Sequence, residues 1–211
     1  MLAALLGPTS RCVDGGAHTG TITQHLVRFA PLGQHIAVEP IPELARRLTD
    51  MYPTVDVRCV ALGARNGRAE FNHVTGAPYL SGMWTDEHSA LPREVITVEV
   101  TTIDDLVGNG TVDFLKLDLE GQELQALRGG MTVLRASMPV VAFEHTRVVF
   151  GEDMTPSLGK ADYGTTESIH SLLHTELGYR IYDLDGNGPL AVDEFLRLYE
   201  TAERFNFLAR I

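Results

Sequence analysis

A few polar residues at the ends of apolar runs could do chemistry. Glu39 closes His35-Ile36-Ala37-Val38, Asp118 closes Val112 to Leu117, and Glu144-His145 close Pro139 to Phe143. A carboxylate at a strand end can accept both hydroxyls of a ribose, which suits Glu39. His145 titrates near neutrality and could take a proton from a substrate hydroxyl, with Asp118 beside it as the second catalytic candidate. Asp118 is followed by Glu120 and Glu123, a costly concentration of negative charge that a helix N-terminus would ease. Lys116 lies two residues back on the same strand face, where a buried ion pair is expected. Asp118, Glu120, Glu144 and His145 together also make a set of ligands for Mg²⁺, but proton transfer without metal is the primary reading and no metal ligand is assigned.

A second candidate precedes these in the chain. Arg11-Cys12-Val13 reads as a strand end, Asp14-Gly15-Gly16-Ala17-His18 as a tight turn, and Thr19-Gly20 onward as the start of a helix. That order sets unpaired N–H groups beside a backbone that a polar, nucleotide-like ligand can approach closely. No register supplies the G-x-G-x-x-G of a dinucleotide site, and no Gly-Lys-Ser/Thr is present for a phosphate loop. What stands is Asp14-x-Gly16-x-His18-x-Gly20, which resembles the D-x-G-x-G-x-G loop of S-adenosylmethionine-dependent methyltransferases, with His18 in the place of the middle glycine. A carboxylate at Asp14 would repel a pyrophosphate but suits a sulfonium that also bears an ammonium group.

The elements that must position these residues alternate along the chain. Strand readings fall at 35–39, 55–62, 112–118 and 139–145, and helix readings at 19–30, 42–52 and 121–135. Gly67 to Val74 reads as an added strand facing Val95 to Val100, and residues 75–93 as a long loop with Tyr79, Met83 and Trp84. A second long loop follows 145. The end reads as a helix near 165–177, a strand over 178–182, a helix around 192–203 and a last strand at 205–210. This is a parallel α/β sheet with helices on both faces, whose ligands bind outside the carboxyl ends of the strands. There Ala61 and Leu62 could offer backbone groups to an adenine edge.

Composition bounds the rest. A chain of 211 residues, 44% hydrophobic and 21% charged, is long enough for one domain with a proper core. Its net charge of −11 and scattered arginines argue against a nucleic-acid partner and favour a small-molecule or protein substrate. No apolar run approaches the roughly 20 residues that span a bilayer. Met1 to Leu6 lacks a basic leader and reads as a short helix on the sheet edge, so a cytoplasmic protein is expected. Cys12 and Cys59 fall in expected core strands as reduced thiols.

Taken in order, Val13 to Gly20, Val38-Glu39-Pro40, Ala61-Leu62-Gly63, Leu115 to Gly121, Phe143-Glu144-His145 and Asn206 to Ala209 resemble the FkbM family of methyltransferases over nearly the whole chain. The resemblance implies a class I methyltransferase (Rossmann-like) fold, with a seven-stranded, mostly parallel sheet of order 3-2-1-4-5-7-6 and strand 7 antiparallel. It implies S-adenosylmethionine as donor and S-adenosylhomocysteine as product. Asp14, Gly15, Gly16, Ala17, His18, Gly20, Glu39, Pro40, Ala61, Leu62 and Asp118 then surround the donor. The acceptor, a hydroxyl on a sugar or similar metabolite, falls to Tyr79, Ser81, Trp84, Glu120 and Glu144 under loops 72–93 and 146–164. The short N-terminus leaves little to cap the pocket, so a homodimer is an alternative to a self-sufficient monomer.

One stretch points to another class. Asp183-Leu184-Asp185-Gly186-Asn187-Gly188 through Glu194 satisfies the EF-hand pattern, with glycine at position six and glutamate at twelve. Against a Ca²⁺ module, Gly178 to Tyr182 suits a strand better than an entering helix, and no second loop is present. A catalytically inactive binding protein is the remaining alternative.

Overall fold

Apolar runs too short for helices build the sheet, and amphipathic segments between them cover it. A computed structural model describes residues 2–76, 78–83, 92–145, 148–150, 156–158 and 169–211. In chain order these are α1 (Leu2–Leu5), β1 (Cys12–Gly15), α2 (Thr21–Phe29), β2 (Ile36–Val38), α3 (Pro42–Met51), β3 (Asp56–Arg58), β4 (Ala61–Leu62), β5 (Gly67–Val74) and β6 (Arg93–Thr101). There follow α4 (Ile103–Val107), β7 (Phe114–Leu117), α5 (Glu123–Arg128), α6 (Met131–Ser137), β8 (Val140–Glu144), β9 (Val148–Phe150) and β10 (Pro156–Leu158). A π-helical stretch over Ser171–Glu176, β11 (Arg180–Asp183), α7 (Val192–Thr201) and β12 (Asn206–Arg210) complete the chain.

The main sheet runs β11-β12-β8-β7-β1-β2-β3, with β12 antiparallel to both neighbours and the rest parallel. Counting its seven strands along the chain, this is the order 3-2-1-4-5-7-6 that the resemblance implies. Alternation divides its faces. Cys12 and Phe114 face α1 and α2, joined by Leu2, Leu5 and Leu26. Val13, Leu115, Leu117, Val141 and Phe143 face the larger core under α4 to α7, with Ile103, Leu127, Leu134 and Phe195. No helix among the described residues is long and apolar enough to cross a membrane.

Several details depart from the sequence reading. The expected strand 55–62 is two strands: β3 stays beside β2, while β4 leaves to pair with β6 in a separate three-stranded sheet with β5. Pro40 follows β2 and offers no N–H to continue that ladder, so pairing ends there. Cys59 falls in the gap and is exposed, whereas Cys12 is buried. The expected helix 121–135 breaks at Gly129-Gly130, two poor helix formers, and only glycine fits at 129, where a Cβ would run into the Gly63 carbonyl. α4, unread in the sequence, fits behind this break, capped by the Thr102 hydroxyl accepting from the Asp105 N–H. The long loop after 145 holds the antiparallel pair β9–β10. α1 rests on α2 and the amino-terminal ends of β1 and β7 rather than at the sheet edge.

Candidate active site

The glycine turn folds as its pattern requires. Gly16, His18 and Gly20 take φ of 74°, 49° and 87°, so every second residue is left-handed. Histidine is among the few non-glycine residues that enter this region readily, which lets His18 stand in the middle position. Its amide donates to Oε2 of Glu39 (2.8 Å), and the Ile41 amide donates to Oε1 (2.9 Å). Both oxygens of this buried carboxylate are thus aimed by backbone groups, each keeping a further lone pair for a ligand. Burial pushes the Glu39 carboxyl up, and the Ile41 and His18 amides and Lys116 oppose the shift. At Gly16 a Cβ would collide with the Asp118 carbonyl, so the turn presses directly on the end of β7.

Asp118, Glu120 and Glu144 meet at the other end. Each offers a carboxylate oxygen within 4.8 Å of the others. Glu120 sits at φ 51°, followed by Gly121 at 94°, a tight turn that brings its side chain back over the strand end. Burial raises the Glu144 carboxyl to about 10, helped by its hydrogen bond and repulsion with Asp118. Burial raises Glu120 to about 8, with Asp118 and Glu123 adding and Lys116 subtracting. Glu123 is fully buried and lifted to about 7 by desolvation, although it accepts the amides of Leu119 (2.6 Å) and Gly121 (3.4 Å). Glu123 stands in the first turn of α5, as its place in the sequence suggested, and ties down the turn that leads into the helix.

Between the two ends lies a cavity of about 350 Å³ at the carboxyl edge of β1, β2, β7 and β8. Its lining includes Gly16, His18, Glu39, Pro40, Ala61, Leu62 and Asp118 from the expected donor set. It also includes Tyr79, Ser81, Glu120 and Glu144 from the expected acceptor set. Ser81 is set by accepting the Val74 amide (2.9 Å). Trp84 lies outside the described residues. Four expected donor residues stand behind the wall instead. Asp14 is fully buried, holds the Thr23 hydroxyl at 2.6 Å and faces Lys116 at 3.4 Å. Gly15 packs against Leu62 and Leu117, Ala17 joins Ala37 and Leu48, and Gly20 accepts the Tyr52 hydroxyl (3.3 Å). Asp14 thus braces the turn from behind the cavity wall.

His145 is a further correction. It is one residue past Glu144 and so takes the opposite face, under α7. Its ring stacks 4.4 Å from Tyr199 and 5.7 Å from Phe195. Burial lowers its pKa to about 4, so at neutral pH it is an uncharged core side chain. The base reading fails on geometry, and among the described residues the carboxylates that converge are Asp118, Glu120 and Glu144 without it. The sequence reading also missed Ile41, Phe71, Met83 and Phe205 in the lining. Phe71 was findable, because it alternates inward on a strand already read as such. Phe205 was not, because only the fold brings the chain before β12 beside Glu144.

The acidic turn is not an EF-hand. β11 occupies the place of the entering helix. Both Asp183 oxygens are engaged, accepting the Asn187 amide (2.8 Å) and Nδ2 (2.7 Å), while Arg204 reaches Asp185 at 2.8 Å. Glu194 pairs with Arg197 at 2.9 Å.

The sequence profile of the methyltransferase FkbM domain matches residues 14–181. The crystal structure of methyltransferase FkbM from Methylobacillus flagellatus KT superposes with a TM-score of 0.56 at 17% identity, over 98% of this chain and 44% of that one. This chain therefore spans less than half the length of that relative. Fibrillarin from Aeropyrum pernix, solved with natively bound S-adenosyl-L-methionine, gives 0.48 at 15% identity over 98% and 69% of the two chains. A TehB-like SAM-dependent methyltransferase from Corynebacterium glutamicum gives 0.49 at 9% identity over 99% and 83%. No curated protein sequence matches.

Proposed function

This chain belongs to the methyltransferase FkbM domain family, and from that premise we propose that it binds S-adenosylmethionine and methylates a hydroxyl of a small molecule. One observation carries the reading: a single cavity joins the Gly16–His18–Glu39 corner to the Asp118–Glu120–Glu144 cluster. The donor corner fits the cofactor in kind. Glu39 keeps lone pairs for a ribose, Ala61, Leu62 and Ile41 make an apolar wall for a purine, and a buried His18 Nε2 has no partner among the described residues. When bound, S-adenosylmethionine supplies an activated methyl group and leaves as S-adenosylhomocysteine.

The protein's own part is then to position, to exclude water and to receive one proton. Glu144, beside Asp118 and on the cavity face, takes the hydroxyl proton in place of His145. Burial and Asp118 keep Glu144 protonated at neutral pH, so it receives this proton only as it passes its own to the Asp118 carboxylate across their hydrogen bond. Glu39, Asp118, Glu120 and Glu144 line the cavity, and no lysine or arginine does so among the described residues. An acceptor that is neutral or cationic is therefore favoured over a phosphorylated one. Tyr79, half exposed at the rim, offers a flat face to a sugar or other ring. The whole of 1–211 acts as one domain in this reading, with Tyr79 and Ser81 of 72–93 bordering the acceptor, while residues 84–91 and most of 146–164 lie outside the described residues. The carboxylate spacing also suits Mg²⁺, but Lys116 already puts a positive charge 3.5 Å from Asp118, and proton transfer is the reading adopted.

Calorimetry with S-adenosylhomocysteine tests the donor assignment. Wild type should bind, and Glu39→Ala should lose about 1.5–3 kcal/mol of affinity, the worth of a hydrogen bond to a charged group. Equal binding by the variant would remove Glu39 from the site. A protein that binds but turns over no hydroxylated acceptor would be the inactive binding module.

A further inference from the structure

We infer that Lys116 is a positioning residue that locks the glycine turn to the end of β7, setting the donor corner and the Asp118 carboxylate as one unit. The inference rests on the donor reading above and concerns how the site is held in shape. The Lys116 ammonium sits under the turn with only 13% of its side chain exposed. It donates to the carbonyls of Gly15 (3.1 Å) and Gly16 (2.7 Å). It lies 3.4 Å from Asp14 Oδ1 and 3.5 Å from Asp118 Oδ2. One cation thus touches two adjacent carbonyls of the turn, the buried carboxylate that braces the turn, and the carboxylate that faces the acceptor.

The turn depends on that cation for its shape. Gly16 and Ala17 send their amides to the Val38 carbonyl, and His18 sends its own to Glu39, so the amide side of the turn is tied to β2. The carbonyl side is tied to β7 through the Asp118 amide on the Gly15 carbonyl (3.2 Å) and through Lys116. Without the ammonium, the Gly16 carbonyl would lose the one partner shown for it in a half-buried place. Asp14 would lose its counter-ion while fully buried.

The residue type fits the task. Of 17 basic residues in the chain, 15 are arginine, so a lysine here departs from the protein's usual choice. Two carbonyls and two carboxylates converging from different directions suit the three rotatable donors of a compact ammonium. A planar guanidinium cannot address them together.

The test is a double-mutant cycle read by S-adenosylhomocysteine calorimetry and thermal melting, with Lys116→Met, Lys116→Arg, Asp14→Asn and Asp14→Asn/Lys116→Met. Lys116→Met should bind S-adenosylhomocysteine about 10–100-fold more weakly and melt lower. Asp14→Asn/Lys116→Met should regain melting temperature over Lys116→Met, since the buried charge is gone. It should still bind at least about tenfold more weakly than Asp14→Asn alone, because the carbonyls remain untied. Lys116→Arg, which keeps the charge, should melt near wild type and yet bind about tenfold more weakly. Binding in the double variant equal to that of Asp14→Asn would reduce Lys116 to a counter-ion and overturn the inference. So would wild-type affinity in Lys116→Arg. A wild type that does not bind S-adenosylhomocysteine overturns the donor reading and this inference with it. A binding wild type matched by both lysine variants overturns this inference alone.

Discussion

Two acidic clusters of similar composition behave in opposite ways. Asp118, Glu120 and Glu144 crowd around the cavity with Lys116 as their nearby cation, and burial pushes Glu120 and Glu144 upward. Asp183, Asp185 and Glu194 lie on an outer turn, where Arg204 pairs with both aspartates and Arg197 with Glu194. At Asp183 burial pushes up, but the Asn187 hydrogen bonds and Arg204 outweigh it, and Arg197 lowers Glu194. The first cluster holds protons near neutral pH and can exchange them with a ligand. The second is paired throughout, with Asp185 and Glu194 open to water and Asp183 buried on its partners. What separates chemistry from scaffolding is whether each acid has a cation or hydrogen-bond donor in contact, and how much water reaches it.

The sharpest way to break that contrast is to remove the proton acceptor. Glu144→Gln keeps the shape of the side chain but cannot pass a proton on to Asp118, so kcat should fall about 10²–10⁴-fold while S-adenosylhomocysteine affinity stays nearly unchanged. His145→Phe is the control, since it keeps the stack on Tyr199 and Phe195 and should leave kcat close to wild type. Full activity in Glu144→Gln, or a loss confined to His145→Phe, would return the base to the histidine. Activity abolished by EDTA and restored by Mg²⁺ would hand the cluster to a metal.

A smaller effect separates the clusters by their pH signs. The folded-state carboxyl of Glu120 stands at about 8, above its ordinary 4.5, so the unfolded chain releases its proton first as pH rises. This group's contribution to stability is greatest below about pH 4.5 and falls through neutrality toward pH 8. Asp183 and Glu194 are lowered, so their contribution is present above the ordinary carboxylate range and is lost as pH falls through it. Glu120→Gln should therefore gain about 1–2 kcal/mol in urea unfolding at pH 8, part of the full shift because Glu144 and Glu123 stay coupled, and nothing near pH 4.5. Asp183→Asn should lose stability at pH 8 and converge with wild type in acid. Gains of equal size for Glu120→Gln at both pH values would show that its carboxyl titrates normally.

Most of the sheet was legible because short apolar runs between glycines and prolines admit few other readings. The order 3-2-1-4-5-7-6 came through the resemblance, not through periodicity. What the sequence hid turns on single-residue parity and on contacts made from afar. Glu144 and His145 are neighbours, and which one meets the cavity depends on which face Val140 and Ala142 take. Asp14 looked like a ligand because it opens the glycine motif, yet Thr23 and Lys116 claim it inside the fold. Lys116 itself was read as a buried ion pair, and that expectation matches its contacts. Its two carbonyl partners were invisible, since nothing in residue types marks where a turn's carbonyls point. The split at Cys59 and the need for glycine at 129 follow from packing against β6 and Gly63, which lie far along the chain.

The smallest expected effect is none at all. The turn from Asp183 to Glu194 satisfies the EF-hand spacing, but spacing supplies ligands only where helices present them and the carboxylates are free to converge. Here β11 leads into the turn with Ile181 paired to Ala209, so Asp183 is fixed by a sheet register. To gather around Ca²⁺, Asp183 would have to release the Asn187 amide, and Asp185 would have to leave Arg204. Glu194, at the start of α7, would have to abandon Arg197. Each exposed pair is weak, but Asp183 is buried and would have to give up both of its Asn187 hydrogen bonds. Millimolar Ca²⁺ should therefore leave the melting temperature and far-UV spectrum of the wild type unchanged, and Glu194→Gln should respond no differently. A Ca²⁺-dependent rise in melting temperature, lost in Glu194→Gln, would mean that the ion reorganises this end of the sheet. The contrast between the two clusters would then rest on occupancy, not on pairing.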